Sequence, residues 1–588
     1  IWGIIYFKFI KKRYPVGFHV DLVVPCIFIG QVLGRWGNFF NGEVYGKLVE
    51  RDTLWYVPNF IINNCTLASL GSQAGQSLVH VPLFFIEGCI NLIGYVLIGI
   101  LAWRLWKHFR KPYCVGALYF IYYGIVRFLL EPLREEQYIM GNPKAFMTVP
   151  RQEAGHRPIH ERIQDFSEVE QTLNETERRT QASRCMECGV PFCHWACPLG
   201  NKQPEWQDAL YHGDWKLAYK LLAATNDFPE FTGRICPALC EKSCVLNHCI
   251  DEPVTIRENE CSIIEKAFVE GYVQPKQYAR NGQKVAVIGG GPAGLSTAVR
   301  LNCLGYEVTV FDKMPKAGGL VRYGIPNFKL DKFVIDRRIS FMESEGIHFV
   351  NGVEVKMDAL PEGFDAYVIS TGTPTARDLK IPGRELKGVY FALQMLSQQN
   401  RILEGEKFAA DELVNAAGKK VLVIGGGDTG SDCIGTCHRH GAVSVTQIEI
   451  MPKPPVGHNP APPWPMWPQI LKTTTSHEEG CDRRWCLTSN KFIDDGKGNL
   501  CGVEVEEVEW VPVEGGGRPQ MKLTGKKEII ECDMVLLAMG FLKPEHPEYA
   551  PNVFLAGDSK NGASLVVRAI ASGRETAKQV DSYLKGIR

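Results

Sequence analysis

Eight of the chain's 20 cysteines fall between Cys185 and Cys249. Cys185, Cys188, Cys193 and Cys197 are spaced C-x2-C-x4-C-x3-C-P, and Cys236, Cys240, Cys244 and Cys249 follow as a second group. Thiolates at such spacing on short turns wrap a metal centre. Zinc is one reading. Two cysteine groups with helices between them, the first ending in Cys-Pro, suit two [4Fe–4S] clusters better. Beside a nucleotide site, this clustering belongs in a reducing cytoplasm rather than in a disulfide framework.

The nucleotide chemistry comes next along the chain. Residues 285–288 (VAVI) read as a buried strand. Gly289, Gly291 and Gly294 follow in G-x-G-x-x-G spacing, and a helical pattern starts at once. The first glycine permits a tight turn, the second lets backbone approach a pyrophosphate, and the third lets helix and strand pack closely. A second apolar strand ends at Asp312, where an acid takes ribose hydroxyls. The pattern recurs: residues 421–424 form the strand, Gly425, Gly427 and Gly430 the turn, and Glu449 stands where Asp312 does. Two such units are the signature of an FAD/NAD(P) reductase, one site per cofactor. An acid at Glu449 favours NAD. Arg439, His440 and Lys453 can instead hold a 2′-phosphate, or form an ordinary solvated basic surface.

The chain of 588 residues has room for two to four domains. At 45% hydrophobic and 22% charged residues, with zero formal net charge, it shows no mark of disorder or of a nucleic-acid partner. The balance is uneven. Residues 1–139 hold 13 basic and 8 acidic side chains, net +5, so the rest carries −5.

Apolar runs at 20–33, 82–103 and 115–130, with the tail of another at 1–10, predict membrane helices. Basic clusters at 8–13 and 104–111 place those ends on the cytoplasmic side. Residues 34–80 are expected as an outer loop. In it Arg35, Asn38, Asn41 and Glu43 are polar groups at a membrane edge. Alternating the helices leaves Glu131 and all that follows outside, which conflicts with cytoplasmic cofactors.

Residues 34–46 (GRWGNFFNGEVYG) resemble the signature of prolipoprotein diacylglyceryl transferases, and residues 123–135 (YGIVRFLLEPLRE) a later segment of that family. The resemblance implies that Arg35, Asn38, Glu43 and Arg127 surround a lipid headgroup. The family's His-Gly-Gly motif and its first and last helices are missing, so no transferase activity is expected. Met140-Gly-Asn-Pro-Lys looks like a natural protein start. The expectation is a truncated neighbouring reading frame, residues 1–139, fused to a complete soluble protein.

Residues 140–588 resemble the small (β) subunit of glutamate synthases, and also the N-terminal part of dihydropyrimidine dehydrogenases. The resemblance implies FAD at the first fingerprint, NADPH at the second and an interleaved ligand set. One cluster would take Cys185, Cys188, Cys193 and Cys244; the other Cys197, Cys236, Cys240 and the oxygen of Glu260. Cys249 and Cys261 fall outside this pattern and read as small buried residues. The loop at 318–332, with Gly319, resembles the flavin side of the family. Gly557-Asp558 resembles the acid at the ribityl chain, and Asp428 and Thr429 the pyridine-nucleotide loop. The Pro/Trp-rich run at 459–468 is expected as a rigid surface loop, with packing against nucleotide or partner as the alternatives. A large glutamate synthase subunit is the implied partner.

The expected architecture is multi-domain. An all-α membrane fragment at 1–139 precedes an α-helical iron–sulfur domain at 140–280. Two interleaved Rossmann-like α/β domains follow, for FAD (281–373 and 534–588) and NADPH (374–533). Residues 140–588 are expected in the cytoplasm, and residues 1–139, if expressed, at the inner membrane.

Overall fold

The computed structural model describes residues 16–41, 48–62, 78–102, 104, 111, 113–130, 145–457, 462–512 and 519–586. The chain forms two compact units, Ile1–Met140 and Gly141–Arg588.

In the first unit, helix Val16–Asn41 packs against Leu83–Gly94 and Cys114–Leu130. Leu83–Gly94 runs on in π-helical geometry through Tyr95–Ala102. Close packing requires Gly94: a Cβ there would lie 2.6 Å from ring carbons of both Phe28 and Tyr122. Asp21 is buried and accepts a hydrogen bond from Gly116 N at 2.8 Å. Among the described residues one helix, Leu83–Ile100, is long and apolar enough to cross a membrane. The helix expected at 1–10 lies outside the described residues.

The expected outer loop from residue 34 is not a loop at its start, because the helix continues to Asn41. Arg35 Nη2 meets Glu87 Oε1 at 2.6 Å, and the Glu87 side chain is buried. A buried carboxylate among apolar helices needs a paired cation, and this pair draws the turn at Arg35 onto its neighbour. Strands Leu48–Glu50 and Leu78–His80 then pair antiparallel.

The second unit opens with short helices around the cysteines, over a core that includes Trp206, Leu210, Leu222 and Ile263. Phe228 and Phe231 leave that domain to join the core beneath the first parallel sheet. That sheet has the order Val553–Leu555, Ala366–Ile369, Lys284–Ile288, Glu307–Asp312, His348–Asn351, all parallel. The second has the order Asp482–Trp485, Ser444–Glu449, Lys420–Ile424, Met534–Leu537, Val389–Phe391, also parallel. Each glycine-fingerprint strand is central and buried on both faces, as its apolar run requires.

The FAD segment was expected to resume at residue 534. Strand Met534–Leu537 instead pairs with Lys420–Ile424 and Val389–Phe391 in the second sheet, and the chain rejoins the first sheet only at Val553–Leu555. A short buried apolar run fits the middle of either parallel sheet, so the run itself does not choose. An antiparallel sheet of Leu487–Asp494, Leu500–Val511 and Gln520–Glu531 packs its inner face on the second parallel sheet.

Candidate functional site: one cleft between two dinucleotide folds and a cysteine domain

In each parallel sheet the fingerprint lies at the carboxyl end of the central strand, where the strand order reverses. Such switch points open crevices for ligands. Gly289 has φ +106° and sits against Ser370 O, 2.5 Å from where a Cβ would be, so only glycine makes this turn. Helix Pro292–Cys303 starts directly after it. Gly294 packs on the Gly289 carbonyl and on Ser370 Oγ. Gly291 differs: a Cβ there meets only Gly319 Cα, at 3.9 Å, so the space above it is open for a ligand. Gly319 comes from the 318–332 loop, and its own added Cβ would lie 2.7 Å from Gly291 Cα.

Asp312 is buried. Its Oδ2 accepts from Gly290 N and its Oδ1 from Met314 N, both at 2.8 Å. Burial raises its proton affinity, and the two N–H donors oppose that rise. Glu449 repeats the arrangement in the second fold, accepting from Gly426 N at 2.6 Å and Met451 N at 3.1 Å. Gly425 and Gly430 pack as Gly289 and Gly294 do, and Gly427 faces open space. Asp428 and Thr429 line the cleft. Burial would raise the Asp428 proton affinity, yet Lys472, 2.5 Å away, holds it below the usual range.

Both fingerprints open into one cleft of about 2290 Å³. Single small-molecule pockets reach about 1,000 Å³, so this one has room for two dinucleotides. Gly557 has φ +66° and packs on Ala293, while Asp558 lines the cleft with Oδ1 2.5 Å from Ser564 Oγ. Helix Val566–Leu584 opens at the same wall.

The cleft has a third wall, formed by Pro198, Cys236, Pro237 and Ala238 of the cysteine domain. Ala238 stands in the left-handed region at φ 62°, turning the chain between Cys236 and Cys240. An alanine carries no sequence signal for such a turn. Cys236 therefore borders the space that the first fingerprint addresses.

Two sets of thiols come together. Cys185, Cys188, Cys193 and Cys244 line a small cavity closed by Phe192, Leu246, Val254 and Ile256. Burial, then the neighbouring thiols, raises the proton affinity of Cys185, and pushes that of Cys193 up to about 12. Four thiols around a void match the donor set of a cubic iron–sulfur cluster. Among the described residues, no three His, Cys, Asp or Glu side chains close on one point as a single ion needs. In the second set Cys197, Cys236, Cys240 and Glu260 act on one another's charge, after burial as the main cause. Glu260 is buried, and burial lifts its carboxyl to about 7. Asn226 Nδ2 at 3.1 Å, Asn201 Nδ2 at 3.3 Å and Thr232 Oγ1 donate to it. Cys261 packs against Gly233. Cys249, expected to be buried, is exposed at the end of helix Val245–Ile250.

A family model described as dihydropyrimidine dehydrogenase domain II, 4Fe–4S cluster, matches residues 162–272. One described as pyridine nucleotide-disulphide oxidoreductase matches residues 283–461. The glutamate synthase [NADPH] small chain of Mycobacterium tuberculosis is 43% identical over 479 residues, covering 76% of this chain and 97% of that one. The chain belongs to the glutamate synthase small-chain family. The small chain of Bacillus subtilis is 39% identical over 76% of this chain and 99% of its own. The glutamate synthase [NADH] of Schizosaccharomyces pombe is 38% identical over 75% of this chain but only 23% of its own length. This small-chain relative is thus an oxidoreductase with a 4Fe–4S domain and a pyridine-nucleotide domain. Residues 1–150 match the prolipoprotein diacylglyceryl transferase family.

Three expectations about side chains change. Arg439 is not available to a phosphate: it is buried, paired with the buried Glu479 at 2.7 Å and stacked 3.7 Å from the Phe328 ring. A desolvated cation is held by such a partner and does not turn to a ligand. His440 is bonded to Gln399, and burial lowers its proton affinity to about 4, so it is neutral. The 459–468 run is not merely a surface loop, because its Trp464 packs on the cysteine domain. Lys453 stays exposed, its Nζ 5.0 Å from the Trp485 ring. Arg35 and Arg127 lie in the helices of the first unit, as does the backbone of Asn38. Glu43 lies outside the described residues.

Proposed function

We propose that residues 140–588 form the electron-input subunit of a glutamate synthase, taking electrons from NADPH through FAD and two [4Fe–4S] clusters to a large subunit. The observation that carries this reading is the shared cleft, walled by both fingerprints and by Cys236. When bound, FAD supplies hydride acceptance and single-electron release, and the clusters supply the relay. The chain's own residues supply position. Gly289, Gly291, Gly294, Asp312, Gly319, Gly557 and Asp558 hold the flavin nucleotide. Gly425, Gly427, Asp428, Thr429 and Gly430 hold the pyridine nucleotide. The set with Cys236 stands next to the flavin, and the set with Cys185 leads outward. The large partner is inferred from the relatives, which are named as small chains of glutamate synthase. The cytoplasm suits these cofactors; residues 1–139 belong to an inner membrane wherever they are made.

Selection of NADPH over NADH falls to the cations left near Glu449. Strand Asp482–Trp485 runs beside it, with Trp485 in register with Glu449. Lys453 and Arg483 both lie over the Trp485 ring, at 5.0 and 5.3 Å. Lys453→Ala and Arg483→Ala are each expected to weaken NADPH by about tenfold, the worth of a charge-assisted hydrogen bond, and to leave NADH unchanged. Equal losses for both nucleotides in equilibrium titrations would remove these residues from 2′-phosphate recognition.

The function itself is tested by anaerobic reconstitution with a glutamate synthase large subunit, glutamine and 2-oxoglutarate. Two glutamates are expected per NADPH oxidised, one from glutamine as it gives up its ammonia and one from reduced 2-oxoglutarate. If NADPH bleaches the flavin but no glutamate forms, while dihydropyrimidine or ferredoxin reduction proceeds, the chain is a related reductase.

A further inference from the structure

The segment after strand Ser444–Glu449 has its base and its tip in different domains. Leu471 N donates to Pro455 O at 2.8 Å, closing the loop at its base. Lys472 next to that base pairs with Asp428 of the nucleotide fingerprint, and Arg483 donates to Lys472 O at 3.1 Å. The tip lies on the cysteine domain. The Trp464 ring stacks on His248 at 4.6 Å and 16°, and meets the Phe192 ring at 4.5 Å. Ser243 Oγ donates to Pro465 O at 2.7 Å. Phe192 and Ser243 are the chain neighbours of Cys193 and Cys244, and Phe192 lines the cavity of that thiol set. Five prolines between 460 and 468 limit the freedom of the free loop, so less entropy is lost when it docks.

We propose that this loop is a clasp, by which Trp464 of the nucleotide-binding domain shuts water and oxidants away from the cluster held by Cys185, Cys188, Cys193 and Cys244. The inference rests on that ligand set. Water near a thiolate-ligated cluster stabilises its more negative, reduced form and so raises its potential. Opening the clasp therefore raises the midpoint potential of one cluster and leaves the other where it was. It also lets air destroy one cluster faster. Among the described residues the Trp464 ring packs on Phe192 and His248 of the cysteine domain, so flavin reduction by NADPH is expected to be unchanged.

The test uses the purified holoprotein, with Trp464→Ala, Trp464→Phe and His248→Ala. Iron loss in air and the cluster potentials, from redox titration followed by electron paramagnetic resonance, are the readouts. Expected are loss of one cluster's iron at least about tenfold faster in the two alanine variants, an upward shift of one potential, and near wild-type behaviour for Trp464→Phe. If wild-type protein contains two clusters and the alanine variants match it in both readouts, the clasp is wrong. If wild-type protein contains no cluster on the Cys185 set, the ligand assignment fails and takes the clasp with it. Should Trp464→Ala fail to fold, His248→Ala tests the same contact from the other side.

Discussion

Cys240→Ser is expected to leave flavin bleaching by NADPH intact and to cut electron flow beyond the flavin by more than about 100-fold, above the range for losing a mere outer-shell partner. Cys240 lies on the turn of helix Leu239–Lys242, beside Cys197, Cys236 and Glu260. Burial raises the proton affinity of its thiol, so it becomes a thiolate only against a metal centre that displaces the proton. A serine hydroxyl there is far harder to ionise. Iron per chain should fall by one cluster, and rapid-mixing absorbance should separate flavin reduction from the lost onward transfer. Cys249→Ser is the control, since Cys249 is exposed and does not line the cavity of the Cys185 set. Full iron content and full turnover in Cys240→Ser would remove Cys240 from the relay.

Gly294→Val and Gly291→Ala should fail in different ways. A Cβ at Gly294 would collide with the Gly289 carbonyl and lie 2.6 Å from Ser370 Oγ. The carbonyl is backbone at the end of a central strand and cannot yield without moving the turn. The expected cost is about 1–3 kcal/mol, as for other overpacked sites, with a lower melting temperature even in protein stripped of flavin. A Cβ at Gly291 meets nothing closer than 3.9 Å, so Gly291→Ala should melt like the parent and yet be isolated with little FAD. Flavin absorbance per chain and thermal melts decide between them. Wild-type flavin content in Gly291→Ala would mean that the open space above Gly291 is not where the pyrophosphate lies.

Local chemistry was legible in the sequence wherever it depends on spacing along the chain. The strand, glycine turn and terminal acid of each fingerprint are contiguous or nearly so, and Asp312 and Glu449 occupy equivalent places against Gly290 and Gly426. The cysteine groups were legible as groups for the same reason. Their sorting into two sets came from family resemblance and not from spacing, since Cys244 crosses the chain to join Cys185.

What depends on distant partners was decided only by the tertiary structure. Met534–Leu537 reads as a buried strand in either sheet, and only its neighbours assign it to the second. Arg439 looks like a phosphate ligand until Glu479, 40 residues away, is seen buried against it. Residues 34–41 read as a loop until Arg35 is paired with Glu87 across 52 residues. Trp464 reads as part of a surface loop until His248 and Phe192 cover it. In each case the side chain or strand is compatible with several environments, and the choice rests on burial and pairing between residues far apart in the chain.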